Sequence, residues 1–368
     1  METTKNKHLF KTLKLNTLKK ELLIEAFFSV IIFAIMLIII SNPKRYTSGT
    51  IAGLKLFFTS VLPGLFPFML LTKLLTELNF VLHLSQKLNK PANFLFHTSG
   101  LGFYTLIMSI LSGYPIGAKI ISELYTKGMI SESEAKKMSV FCTTSGPIFV
   151  IGAIGVGMFC SMKIGIIIYL AHIISSIVLG IVYAYFHKNS IQPLTLSPIK
   201  KHDNIFGECV LQTINSLFVV GAYITIFYLI SELLDGLKFF NALTYILSPI
   251  ITFLNIDAST TKSILCGILE VTRGAKELSQ KTNVFSICAC TGILSFSGIS
   301  IIMQSMVFLK QAKIKMHNFV LTKVMHSILS IIICYLLCLF FIWNRCCKIM
   351  NSMFKFISIS LYNSKILV

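Results

Sequence analysis

The 368 residues are 55% hydrophobic and 13% charged, with a mean hydropathy of +0.79, which excludes an ordinary soluble domain. The net charge of +19, from 33 Lys and Arg against 14 Asp and Glu, would suit nucleic acid, but the basic residues are spread over the termini and the loops between apolar runs. That spread is the positive-inside pattern of a multi-pass protein among anionic lipids; no nucleic-acid-binding motif accompanies it, and the runs do not alternate as β-barrel strands would.

Residues 1–44 combine Lys5, Lys7, Lys11, Lys14, Lys19 and Lys20 with an uncharged run, 26–40, long enough with its flanks to cross a bilayer. No small-x-small cleavage site follows at Ser41-Asn42-Pro43-Lys44, so the expectation is an uncleaved span with its amino end in the cytoplasm. Residues 49–78 pass Pro63-Gly64 and Pro67 and read as an interfacial helix leading into a kinked span. Residues 81–98, with His83, Lys87, Lys90, Pro91 and His97, read as a polar connector.

From 101 to 111 the chain is apolar but too short to cross before Ser112-Gly113-Tyr114-Pro115-Ile116-Gly117. The expectation is a re-entrant hairpin whose second arm is 118–125. The next helix, 135–159, follows capping residues at 131–134 and is broken by Thr143-Thr144-Ser145-Gly146-Pro147, where Pro147 suits a helix restart. An uninterrupted span at 165–186 precedes the polar linker 188–207, so that 45–187 form a first repeat and 208–343 a second.

The second repeat follows the same order. Gly117-Ala118-Lys119 finds Gly274-Ala275-Lys276 at an offset of 157, Thr76-Glu77-Leu78 meets Ser231-Glu232-Leu233 at 155, and Ser145-Gly146 meets Ser297-Gly298 at 152. If each half crosses an odd number of times, the second lies inverted. Its spans are 210–234, a shorter 239–253 carrying Pro249, a second hairpin at 264–278, a helix at 284–309 broken at 295–300, and a closing span at 317–343. The basic tail 344–368 is expected to rest at the membrane surface. The fold expected is therefore all-α and polytopic, an inverted-repeat transporter with two re-entrant hairpins and two broken helices.

Each interruption leaves peptide groups unpaired inside the membrane, at a cost of several kcal/mol per group unless protein, water or a bound solute satisfies them. Half-helices starting at Ser145-Gly146-Pro147 and Ser297-Gly298 would point amides and partial positive charge at the centre, which suits an anion. Glu270 and Arg273 are charges in an otherwise apolar stretch, either a functional pair or a self-neutralising i,i+3 pair. Lys119 and Lys276 either neutralise an anion or snorkel to an interface, and His172 either relays protons or is a hydrogen-bonded structural residue. The ten cysteines have no zinc-ligand spacing and read as small hydrophobes. No P-loop, H-E-x-x-H or G-x-S-x-G occurs, so neither enzyme activity nor a cofactor or metal is expected.

The segments SGYPIGAKIISELY, TTSGPIFVIGAIGVGMF, GILEVTRGAKEL and SFSGISIIMQ resemble the nucleoside-recognition, or gate, family of membrane proteins. Within it they are most similar to the sporulation membrane proteins of spore-forming Firmicutes that carry dipicolinic acid across the outer forespore membrane. This family is similar to concentrative nucleoside transporters, which implies a central site. On this chain the resemblance places it at Ser112, Gly113, Tyr114, Pro115, Gly117, Ser145 and Gly146 from one half, and Glu270, Arg273, Gly274, Ser297 and Gly298 from the other. It implies a small anionic cargo and allows homo-oligomers, although no dependable G-x-x-x-G interface supports self-association. The alternatives are a nucleoside or other polar-metabolite permease, and a non-transporting scaffold for spore-envelope assembly.

Overall fold

Apolar runs that cannot pair their backbone with water close their hydrogen bonds locally, and in the computed structural model every element among the described residues is helical. The structure describes residues 2–77, 80–187, 204–253 and 255–364; most of the linker expected at 188–207 lies outside them. Among the described residues five helices are long and apolar enough to cross a membrane, or up to seven if each of two bent pairs counts as one span.

The basic amino end and the first span form a single helix, α1 (Glu2–Ser41), whose apolar part, Leu22–Ser41, is not buried against the rest of the chain. Asn42 caps α2 (Pro43–Leu56) by accepting the Arg45 amide. A π-helical turn, Phe57–Val61, joins it to α3 (Leu62–Glu77) at a bend of 47°, as expected of this proline-bearing stretch. Pro63 has no N–H for the carbonyl one turn earlier, so the ladder resets there.

The connector expected at 81–98 is instead helix α4 (Phe80–Phe96), set at 88° to α5 (Gly100–Ser112). Val81, Ser85, Ala92 and Phe96 recur at helical spacing and are buried, while His83, Gln86, Lys87, Asn89 and Lys90 face outward. The charges that suggest a loop are thus the solvated side of an amphipathic helix.

Helix α6 (Ile116–Thr126) folds back on α5, and α7 (Glu132–Phe141) follows, capped by the Ser131 hydroxyl on the Glu134 amide. After a non-helical stretch the chain restarts as a π-helical segment, Ile148–Met158, and then α8 (Met162–Phe186). The second stretch comprises α9 (Ile205–Gly236), α10 (Phe239–Ile246), α11 (Ser248–Phe253), α12 (Ala258–Leu269), α13 (Val271–Leu278), α14 (Val284–Phe296), α15 (Gly298–Leu309) and α16 (Met316–Ser364).

The short span expected at 239–253 is two helices of eight and six residues. Pro249 cannot donate to the carbonyl four residues back and opens the second of them. The basic tail from 344, expected to rest at the membrane surface, is helical and continuous with α16 as far as Ser364.

The two stretches interleave. Helix α3 packs on α9, and α15 on α6, so one buried cluster contains Leu101, Ile121 and Phe141 with Val220 from α9 and Ile302 and Leu309 from α15. A second joins Ile154 and Ile168 to Val271, Leu294 and Cys334. Burial of this apolar surface against protein is what holds the short, broken helices in place, since none is long enough to be stable alone.

A candidate solute site where four helix interruptions meet

The first hairpin turns at Gly113, whose φ of +85° admits glycine readily; its amide bonds the Ser109 carbonyl at 2.8 Å, and the Tyr114–Pro115 peptide is cis. Ser109 also ties this hairpin to the first broken helix: its hydroxyl lies 2.9 Å from the Thr144 hydroxyl and accepts the Thr144 amide at 3.1 Å. That helix is interrupted after Phe141, as Pro147 and its neighbours imply.

In the second half α12 and α13 form a tight hairpin. A Cβ on Gly274 would stand 2.3 Å from the Gly267 Cα, a backbone approach that only residues without side chains allow. At its tip Glu270 is extended, and its carboxylate accepts the amides of Thr272 at 3.1 Å and Arg273 at 2.7 Å, capping α13. The break expected at 295–300 is narrower than the sequence suggests. Two left-handed residues, Ser297 at φ +77° and Gly298 at φ +59°, divide α14 from α15, while Val284–Ala312 still reads as one span.

Three of these interruptions, together with α15 just beyond the fourth, face one cavity of about 530 Å³. Ser112, Gly113 and Tyr114 come from the first hairpin, Ser145 and Gly146 from the first break, Glu270 and Thr272 from the second hairpin, and Ser300 and Gln304 from α15. Phe68, Phe149, Val220, Ile224 and Ile301 form apolar walls. A helix start leaves its first amides without an acceptor inside the helix, and here two such residues, Ile148 and Phe149, line the cavity beside Gly146.

Behind the lining stands a hydrogen-bonded cluster. The Ser145 amide donates to His172 Nε2 at 2.9 Å, so that nitrogen carries no proton; Nδ1 therefore does, and it donates to Ser295 Oγ at 2.8 Å. His172 thereby links the two broken helices, and His326 Nε2 donates to its carbonyl at 3.0 Å. Lys323, 1% exposed, donates to Tyr114 Oη at 2.9 Å and to the Thr143 carbonyl at 2.6 Å. Ser297 also donates to Tyr114 Oη, at 2.6 Å.

Of the residues expected at the centre, Ser112, Gly113, Tyr114, Ser145, Gly146 and Glu270 line the cavity. Ser297 holds Tyr114, and Pro115 completes the hairpin tip. Gly117 packs against the Cys142 carbonyl, Gly274 against the Gly267 backbone, and Gly298 against the Val271 side chain and the Gly267 carbonyl, all behind the lining.

Arg273 is not brought to the cavity. It pairs with Glu232 at 3.0 Å, Asp235 at 3.5 Å and Glu277 at 3.3 Å, in a cluster that Arg45 and Lys262 extend. It is not a self-neutralising partner of Glu270 either, because Glu270 takes its backbone amide rather than its guanidinium. Lys119 bonds Ser216 Oγ at 2.9 Å and Lys276 is exposed, so neither lines the cavity.

Sequence reasoning missed Lys323, His326, Gln304 and the walls from α3 and α9. The signal for the first two was present: two ionisable residues three apart inside an apolar span mark a site by default.

The chain is similar along most of its length to the sporulation integral membrane protein YlbJ of Bacillus subtilis, with 26% identity over 352 aligned residues, covering 88% of this chain and 83% of the relative. No family model matches the chain, and no solved structure does. An integral membrane relative and several apolar helices agree on a multi-pass integral membrane protein.

Proposed function

We propose that this chain is a secondary transporter of a small anionic metabolite, dipicolinic acid, which it moves from the mother cell towards the forespore across the outer forespore membrane, with its amino end in the cytoplasm. The observation that carries the reading is the cavity of about 530 Å³ at which both hairpin tips, the first helix break and the first turns of α15 converge. Its size falls among pockets that enclose small molecules, and its lining alternates apolar walls with a few convergent polar groups.

A planar dianion would lie between apolar walls, with carboxylates directed to the helix start at Ile148, to the first turn of α15 at Ser300, and to the Ser112, Ser145 and Tyr114 hydroxyls. Broken helices suit such a cargo because they supply donors without the desolvation cost of many buried cations. The chain does no covalent chemistry in this reading. The similarity to a sporulation membrane protein supports the cellular setting.

A second reading, a permease for nucleosides or other polar metabolites, is favoured by Glu270 and Gln304, an acceptor and an amide suited to hydroxyls and ring nitrogens. Uptake of labelled dipicolinate and labelled uridine into proteoliposomes separates the two. Accumulation of dipicolinate above empty-liposome levels, uncompeted by uridine, is the expected result. Uridine uptake alone favours the permease, and flux of neither favours a membrane scaffold.

A further inference from the structure

We infer that Lys323 is the specificity-determining residue of the cavity: the ammonium behind Tyr114, with no carboxylate in contact, takes the negative charge of the cargo as its counter-ion and so selects an anion. This rests on the transporter reading above and names what that reading leaves open, the group that makes the site prefer a charged solute.

Lys323 is 1% exposed and lies within the apolar part of α16, Met316–Phe341. Its contacts are all neutral: Tyr114 Oη at 2.9 Å, the Thr143 carbonyl at 2.6 Å, and the rings of Tyr114 and Phe319 with centroids at 4.9 and 5.4 Å. Among the described residues no carboxylate lies within ion-pair distance of it. The other two buried lysines differ from each other: Lys137, 3% exposed and outside the apolar spans, also donates to a carbonyl, that of His97 at 3.0 Å, whereas Lys73 has carboxylate partners. Lys73, 7% exposed, sits 2.8 Å from Glu77 and 3.0 Å from Glu123. A buried ammonium without a counter-ion is unfavourable, and an ionisable residue retained inside a membrane span marks a functional site by default.

The neighbouring titratable groups do not supply that partner. His172 Nε2 is occupied by the Ser145 amide, and His326 Nε2–H by the His172 carbonyl. The Glu270 carboxylate is held by two amides of α13, on the other hairpin. Tyr114 connects the lysine to the cavity. Its oxygen accepts from both Lys323 and Ser297, so its own proton remains to be donated, and the residue lines the cavity. An anion that reaches the Tyr114 hydroxyl from the cavity would meet a phenol polarised by an ammonium directly behind it.

The test compares dipicolinate with its uncharged diamide by calorimetric binding to the purified full chain, in wild type, Lys323→Gln, Lys323→Arg and Tyr114→Phe, with thermal melts to report folding. The wild type is expected to prefer the dianion. Lys323→Gln is expected to lose about 100-fold in dianion affinity while diamide affinity stays within about threefold, and Lys323→Arg to keep the preference. Should Lys323→Gln fail to fold, Tyr114→Phe decides, with an expected loss of about tenfold for the dianion alone. Equal losses for both ligands, or an unchanged ratio, would overturn the inference and leave the transporter reading standing. Wild type that binds the diamide as well as the dianion would do the same. Wild type that binds no dipicolinate would remove the cargo reading and this inference with it.

Discussion

Replacing Gly117 by alanine strikes the joint between the first hairpin and the first broken helix. The added Cβ would lie 1.7 Å from the Cys142 carbonyl oxygen and 2.9 Å from both its carbon and Ser109 Oγ. Real Cβ contacts stay beyond 3.0 Å, so α6 and the break must separate by about 1.3 Å. Neither side yields freely, because Ser109 is bonded to Thr144 through its hydroxyl and through the Thr144 amide. Overpacking of this kind costs about 1–3 kcal/mol. The functional effect should be larger, since the displaced backbone carries Ser145 and Gly146 into the cavity, and a shift near 1 Å costs up to about 100-fold in positioning. The control is Gly157→Ala, whose nearest neighbour at 3.5 Å is an ordinary contact. Thermal melting in detergent and dipicolinate uptake in proteoliposomes, on both variants, provide the measurement. If Gly117→Ala melts and transports as wild type does, or if Gly157→Ala is damaged equally, the packing of the hairpin against the break is wrong.

Two further outcomes follow from groups outside the cavity. Arg273→Ala should lower stability by about 1–3 kcal/mol, because Glu232, Asp235 and Glu277 lose a shared cation, while dipicolinate affinity in the folded fraction is unchanged; a selective loss of affinity would return Arg273 to the site. The Asp257 carboxyl, at the start of α12, is held well below the usual aspartate range, first by Lys281 Nζ at 2.6 Å and then by Ser259 and Thr260. Its contribution is therefore complete above the ordinary value of 3.8 and is lost only as pH falls through the lower folded value. Melting temperature between pH 7 and pH 4 should show no step that Asp257→Asn removes; such a step would mean that the pairing with Lys281 is not formed.

How much of this was legible in the sequence depended on whether the cause was local. Gly113, Pro147 and the Ser297-Gly298 pair act on their own backbone, so the interruptions could be read directly from them, although the second break proved only as wide as its left-handed residues. The helix at 80–96 was hidden because Pro91 and its charged neighbours suggest a loop, while the burial of Val81, Ser85, Ala92 and Phe96 depends on what packs there. Arg273 misleads for a similar reason. Its spacing from Glu270 suggests an intrahelical pair, but α9 brings Glu232 and Asp235 alongside it. Lys323 is the converse case, an ionisable residue in plain view whose neighbours come from the hairpin tip and the first break, nearly two hundred positions away.

The most direct test of the central claim fills the cavity. Gly152 lines it, and a Cβ there would meet nothing within 4 Å, so Gly152→Trp adds bulk to the cavity without a clash at its root. Equilibrium binding of radiolabelled dipicolinate to purified wild type and Gly152→Trp, each shown by its melt to be folded, gives the measurement. Saturable binding by wild type that disappears in Gly152→Trp is the predicted result. Undiminished binding by the tryptophan variant would show that the solute sits elsewhere.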